Sequence, residues 1–412
     1  MKKAYLLIIV MAMFVASSWA VTITTTGRVL METVYENNID DWTDFDEDNA
    51  ATTNDKDIFG RARVDLGFKA QITDNILARI NTRFEGDHAN QKWMYWGANN
   101  IEAGEQLGDA ELTLQEAYIQ YTGMMLPITW EIGRKTYVYG VSNIVGAADK
   151  LDGWHIVYNA DAFYVNLHDV IRARNEHNDD GDYVVNSKLF GINGGTANDM
   201  MDINAYFWMQ TTPETDDDKW SNMVFGARGE FVLMEGMVQP FVEFAMQSGT
   251  SDAADADFGG MLVDVGSKFD FELGSGNMDA LVQFLMSSGQ DADETDGTTF
   301  WGVGLSDNLQ GYNEANVAAG GVQMIKIEAG FTPMAMQALR MYFDFWMFND
   351  NSKNIDDVSG ENIYNEFAVG TELTLNANAN IYMGFNYLMP NEDMVGGEDA
   401  AMAFTFGTQV KW

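Results

Sequence analysis

From Thr22 to Trp412 the sequence falls into segments of about ten residues in which apolar and polar side chains alternate. Period two places successive side chains on opposite faces of a strand, so each segment meets an apolar medium on one side and a polar one on the other. Leu339, Met341, Phe343, Phe345 and Met347 share one face, against Arg340, Tyr342, Asp344 and Trp346. Ile203, Ala205, Phe207 and Met209 stand against Asp202 and Asn204, and Phe163, Val165, Leu167 and Ile171 against Tyr164, Asn166, His168 and Arg172. The breaks are patterned too. Short polar turns at 73–75, 159–161, 195–199, 235–236, 274–277 and 376–380 interleave with longer polar connections at 37–57, 87–110, 138–151, 175–181, 211–219, 249–257, 289–317, 349–361 and 390–398. A secreted sandwich or propeller explains alternation but not this short-and-long rhythm, and it leaves an apolar face uncovered on every strand. The pattern predicts an all-β fold, a transmembrane antiparallel β-barrel of about 18 strands (16 if the irregular stretches 175–200 and 289–330 are read differently), with both ends of the chain on the short-turn side.

The leader agrees with a membrane destination. Lys2 and Lys3 precede an apolar stretch at 4–15, and Ser18-Trp19-Ala20 is a small-x-small cleavage site, so 1–20 reads as a signal peptide and 21–412 as the barrel. The stretch is too short for a spanning helix, which needs about 20 apolar residues. With no cysteine, the exported chain relies on something other than disulfides, and a closed hydrogen-bonded ladder serves. Only 5 prolines interrupt it, and 13% aromatic residues suit interfacial girdles. A net charge of −39 argues against nucleic acid as a partner. The expected surroundings are the lipid and lipopolysaccharide of a Gram-negative outer membrane. The last strand places Met402, Phe404, Phe406, Val410 and Trp412 on one face, a C-terminal aromatic pattern suited to the barrel-insertion machinery.

Charge on a barrel strand belongs on the water-facing side, because Arg or Lys on the lipid side costs about 2–4 kcal/mol at the bilayer midplane. Arg61, Arg63 and Asp65 share the polar face of one segment, and Arg79, Arg83 and Glu85 that of the next. A hairpin at Asp74 sets them side by side as an arginine ladder. Arg172, Arg174, Arg228 and Arg340, with His168 and Asp344, extend the predicted inner wall. Simple alternation groups Arg134 with Ile128, Trp130 and Ile132; a bulge near Gly133 would turn it inward, and it is counted with the wall on that basis. Guanidinium forks pair with carboxylates and stay charged, so the ladder either contacts anionic or sugar-like solutes or fills the wall with ion pairs to Asp65, Glu85, Glu230 and Asp344. The connection at 138–151 is rich in Val, Ile and Ala; folded inward it forms a constriction with Asp149 and Asp152 facing the arginines. Asp40, Asp41, Asp44, Asp46, Glu47 and Asp48, then Asp216 to Asp218, then Asp291, Asp293, Glu294 and Asp296, crowd three loops as candidate Ca2+ ligands, although none follows the EF-hand spacing. No other cofactor is implied. The four histidines make no Ser-His or Asp-His pair of catalytic type, so no enzyme is expected.

Leu114-Gln115-Glu116-Ala117-Tyr118, then Ile132-Gly133-Arg134-Lys135, Tyr139-Gly140 and Asp152-Gly153-Trp154, resemble the alginate-export family of outer-membrane porins. The likeness departs from the family run at Lys135 and at Val141-Ser142-Asn143. It implies an 18-stranded pore. Together these readings predict passive diffusion of small hydrophilic solutes, with two competitors: a surface protein with a closed lumen, and a dedicated polysaccharide exporter. Ion preference and oligomeric state are left open by the sequence.

Overall fold

Thr22–Asn37 (β1) and Ala401–Lys411 (β21) lie at opposite ends of the chain and hydrogen-bond to each other, antiparallel, from Arg28 opposite Lys411 to Asn37 opposite Met402. That pairing closes the sheet in this computed structural model. The structure describes residues 21–37, 56–85, 94–96, 111–123, 126–135, 151–160, 162–172, 187–211, 220–251, 256–288, 308–310, 316–318, 321–350, 362–390 and 400–412.

Between β1 and β21 the chain runs through Lys56–Thr73 (β2), Ile76–Glu85 (β3), Met94–Trp96 (β4), Glu111–Thr122 (β5), Ile128–Lys135 (β6), Leu151–Asn159 (β7), Tyr164–Arg172 (β8), Ser187–Asn198 (β9), Met201–Thr211 (β10), Trp220–Phe231 (β11), Val238–Ser251 (β12), Ala256–Leu273 (β13), Gly276–Ser287 (β14), Asn308–Gln310 (β15), Asn316–Ala318 (β16), Val322–Pro333 (β17), Leu339–Asp350 (β18), Asn362–Asn376 (β19) and Ala379–Pro390 (β20). The tiny strand β4 pairs only with β2 above β3, and β15 and β16 form their own hairpin. The rest make a closed antiparallel barrel of 18 strands. An even count brings both ends of the wall to the short-turn side. Closure satisfies every strand edge from within the chain, as a barrel without disulfides requires.

Turn chemistry sits where the sequence reading put it. Thr73 Oγ1 accepts from the Asn75 (3.3 Å) and Ile76 (3.1 Å) amides, and Asn376 Oδ1 from Asn378 N at 2.8 Å. Between β9 and β10 the turn is shorter than predicted. The strand runs on to Asn198, whose Oδ1 accepts from Met200 N (2.8 Å) and Met201 N (3.1 Å). The predicted long connection at 249–257 shrinks to residues 252–255, because β12 and β13 pair as far as Ser251 and Ala256.

The two faces separate cleanly. On β12, Val242, Phe244 and Met246 are exposed outward, while Phe241, Glu243, Ala245 and Gln247 are buried inward. Away from β6 to β9 the described outward side chains are uncharged and mostly apolar, the arrangement a lipid environment demands. Towards the long-connection end, the inward face carries a buried apolar collar that includes Val34, Leu189, Val224, Leu262, Leu285, Phe348, Tyr364 and Leu388. Towards the short turns, the inward face is charged.

Candidate functional site: the charged inner wall

The inward row of β1 to β5 is built around Asp65. Arg28 donates to its Oδ2 from Nε (2.9 Å) and Nη2 (2.6 Å), and Arg83 Nε donates to Oδ1 at 2.6 Å. Arg63 Nε lies 3.4 Å from Oδ2. Three guanidiniums thus converge on one carboxylate and concentrate positive charge at this hub. Next along the wall, Arg79 Nε lies 3.2 Å from Glu116 Oε2, which also accepts from the Asn81 amide. Gly67 leaves room at the centre, since a Cβ there would fall 2.4 Å from Thr26 Oγ1 and 2.5 Å from Asn81 Oδ1. A cavity of ≈ 690 Å³ opens over this patch, lined by Arg28, Arg63, Asp65, Arg79, Asn81, Arg83, Gln115, Glu116 and Lys411 among others.

Gln115 owes its place to a bulge. Asn81 faces Glu116 and Thr82 faces Leu114, so Gln115 is the extra residue and β5 changes phase there. The bulge predicted at Gly133 is therefore found on the neighbouring strand. At Gly133 the ladders to β5 and β7 keep register without interruption, which corrects the inward placement of Arg134. Arg134 stands opposite Ala117 and Asp152, in phase with the outward Trp130 and Ile132. Its Nε and Nη2 donate to Asp152 Oδ1 (2.9 Å) and Oδ2 (2.6 Å). Asp152 is thus corrected as well. It is the second residue of β7 on the outer face, held by a neighbouring strand, and it does not reach across the lumen toward the arginine hub. Gly133 has φ +137°, and a Cβ on it would lie 2.1 Å from the Ala117 carbonyl oxygen, so only glycine fits. The Gln-Glu-Ala-Tyr, Gly-Arg-Lys and Asp-Gly-Trp pieces of the motif meet here on three adjacent strands, with Tyr118, Gly133 and Gly153 in one row.

Other candidates fall as follows. Arg228 pairs with Glu230 at 2.7 Å, and Arg340 reaches across β17, over Gly330, to Asp279 at 2.6 Å. Asp344, one of the carboxylates expected to pair with the inner arginines, faces inward opposite Glu328. His168 is fully buried on the inward face, stacked on His155 (ring centroids 4.2 Å) and on Trp208 (5.1 Å), with Nε2 3.3 Å from Asn193 Oδ1. Arg61, Glu85 and Arg172 hold inward register positions opposite Glu32, Glu111 and Ser187, and their side chains lie outside the described residues. So do Arg174, Asp149, the connection at 138–150 and the three acidic loops.

Several inward groups were missed by the sequence reading. Arg28 and Glu32 on β1, and Asp279 on β14, follow the same alternation and were legible from it. Glu131 was not: its Oε2 meets Lys135 Nζ (2.5 Å) and His155 Nδ1 (3.0 Å), a cluster visible only once β6 and β7 pair. Glu32 accepts from Tyr382 across Gly407, and Glu243 from Tyr206 at 2.8 Å. Around the wall the charges segregate. Among the described side chains of β1 to β5, Arg28, Arg63, Lys69, Arg79 and Arg83 gather with Glu32, Asp65 and Glu116; Glu36, Asp57, Arg61, Glu85 and Glu111 hold further inward register positions on these strands. From β10 to β19, Asp202, Glu230, Glu243, Asp264, Asp270, Glu272, Asp279, Glu328, Asp344, Glu366 and Glu372 outnumber Arg228, Lys268, Lys326 and Arg340.

No family model matches the sequence, and no curated protein matches it. Solved structures do match the fold. The chain is similar to OprD of Pseudomonas aeruginosa (TM-score 0.55, 9% identity, covering 94% of this chain and 95% of that one). It is similar also to the outer membrane protein opdK of Pseudomonas aeruginosa (TM-score 0.56, 9% identity, 94% and 99%). OccK5 (OpdH) of the same organism gives a TM-score of 0.54 at 8% identity, covering 94% and 98%. At these identities the likeness is one of fold: an 18-strand barrel shared nearly end to end.

Proposed function

We propose that this chain is an outer-membrane channel of a Gram-negative bacterium, through which small hydrophilic solutes diffuse passively. The observation that carries this reading is the inner wall: three guanidiniums gathered on Asp65 at β1 to β3 stand across the barrel from a carboxylate-rich arc. From β10 to β19 the inward carboxylates outnumber the cations, so that arc is not neutralised one to one by its own side chains. Barrels of 16–18 strands enclose an aqueous passage. Opposed charge across such a passage orients dipolar solutes, and the arginine side holds carboxylates or sugar hydroxyls. The fold similarity to outer-membrane proteins supports the location, and 1–20 is the proposed export signal. A polysaccharide exporter is the finer version suggested by the motif around Gln115, Arg134 and Asp152. Ca2+ in the acidic loops is a separate proposal, tested by calcium titration of folded protein.

The buried apolar collar favours one second reading, a surface protein whose barrel is filled. Single-channel recording in planar bilayers under a salt gradient decides between them. Ohmic steps with a reversal potential set by the wall charges support the channel. A folded barrel that carries no current overturns it in favour of the filled barrel.

A further inference from the structure

Among the described side chains, the outer face of the wall is free of charge except in one place. Among wall residues whose side chains are described, the charged outward positions are Arg134, Asp152, Asp169 and Lys188, on the consecutive strands β6, β7, β8 and β9. Arg134, Asp152, Ile171 and Lys188 form a single register row, with Asp169 one step nearer the short turns. Asp169 is not at a rim. Trp154 and Phe190 flank it on the adjacent strands, and Leu167 and Ile171 precede and follow it on the same face. A charge so placed against hydrocarbon is strongly disfavoured. Arg134 and Asp152 satisfy one another, but among the described residues neither Asp169 nor Lys188 has an ion-pair partner.

We propose that this face is an interface between two copies of the chain, in which Asp169 of each meets Lys188 of the other. Copies inserted the same way up are related by an axis along the membrane normal, which brings equal heights together and reverses the order of strands. An axis between β8 and β9 therefore sets β8 of one copy against β9 of the other. The two reciprocal pairs form at once, the Arg134–Asp152 pair stays internal, and Ile132, Ile171 and Ile192 cover the charges from lipid. Lipid tails offer no counter-charge at this height, and headgroup phosphates lie at the rim. A second copy supplies both signs because the patch itself carries both.

The chain has no cysteine, so single-cysteine variants report cleanly. Native mass spectrometry of the unmodified protein should give a dimer. In outer-membrane vesicles, Ile171→Cys should cross-link to twice the chain mass, while Phe343→Cys, outward on the far side of the barrel, should not. Asp169→Lys should yield monomers, and adding Lys188→Asp should restore the dimer. A monomer or trimer of the unmodified protein, a monomer carrying lipopolysaccharide, equal cross-linking at both positions, or a double swap that fails to restore the dimer would each overturn the proposal.

Discussion

The arc from β1 to β5 and the arc from β10 to β19 use the same strand geometry to opposite electrostatic ends. On the first, three guanidiniums converge on one carboxylate, so positive charge is concentrated at one point of the wall. On the second, Lys326 holds Glu328 and Arg340 holds Asp279, at 2.6–2.7 Å, Arg228 and Lys268 share Glu230, and acids outnumber cations along the arc. The first arc is a hub and the second a series of separate pairs in an acidic surround. Both rows are partly exposed, so their worth to stability is modest and their effect on passing ions is the larger consequence.

That contrast can be broken most directly at the hub. Replacing Arg63 and Arg83 together by Gln removes the excess charge, and the anion-to-cation permeability ratio should fall about fivefold per charge, taking about 1 kcal/mol for a unit charge at 4 Å in water. Reversal potentials measured at about 0.1 M salt check this. At 1 M, where the Debye length is about 3 Å, the difference between wild type and variant should nearly vanish. Asp65→Asn sharpens the contrast instead. Anion preference should rise by up to about fivefold, and because three guanidiniums lose a charged acceptor, the urea midpoint of unfolding should drop by the equivalent of about 1–3 kcal/mol. On the acidic arc, Glu243→Gln keeps an acceptor for Tyr206, so stability should change by less than about 1 kcal/mol while cation preference falls two- to threefold, roughly half the direct contact value. The smallest effect is expected at Glu230→Gln. Its partners Arg228 and Lys268 become less neutralised, the arc loses some of its acidity, and thermal unfolding should move by no more than the roughly 0–1 kcal/mol of an exposed pair.

The arginine hub also shows how far sequence reasoning reached. Arg63, Asp65 and Arg83 were placed on one face by alternation, and their pairing followed from the turn at Asp74 because β2 and β3 are consecutive. Arg28 joins the hub through β1, on the other side of β2, and was overlooked although its alternation is equally plain. Arg134 shows the opposite failure. Alternation gave the right face, and an assumed bulge moved it; the bulge was real but sat at Gln115. A bulge leaves no strong local mark, since one extra residue in a strand resembles its neighbours. Arg340 finds Asp279 two strands away, across Gly330 of β17, a pairing that only the stagger of the strands sets.

The sequence by itself determined the strands, their number, their order and the side of the wall on which most charges lie. Each of these follows from period-two alternation and from turn chemistry, which are properties of a few adjacent residues. The tertiary structure alone decided which charges meet. Tyr382 reaches Glu32 because the last strand lies beside the first, and His155, His168 and Trp208 stack because three ladders run in a particular stagger. Register, shear and closure are set by the whole ring of strands at once, so no stretch of sequence carries them.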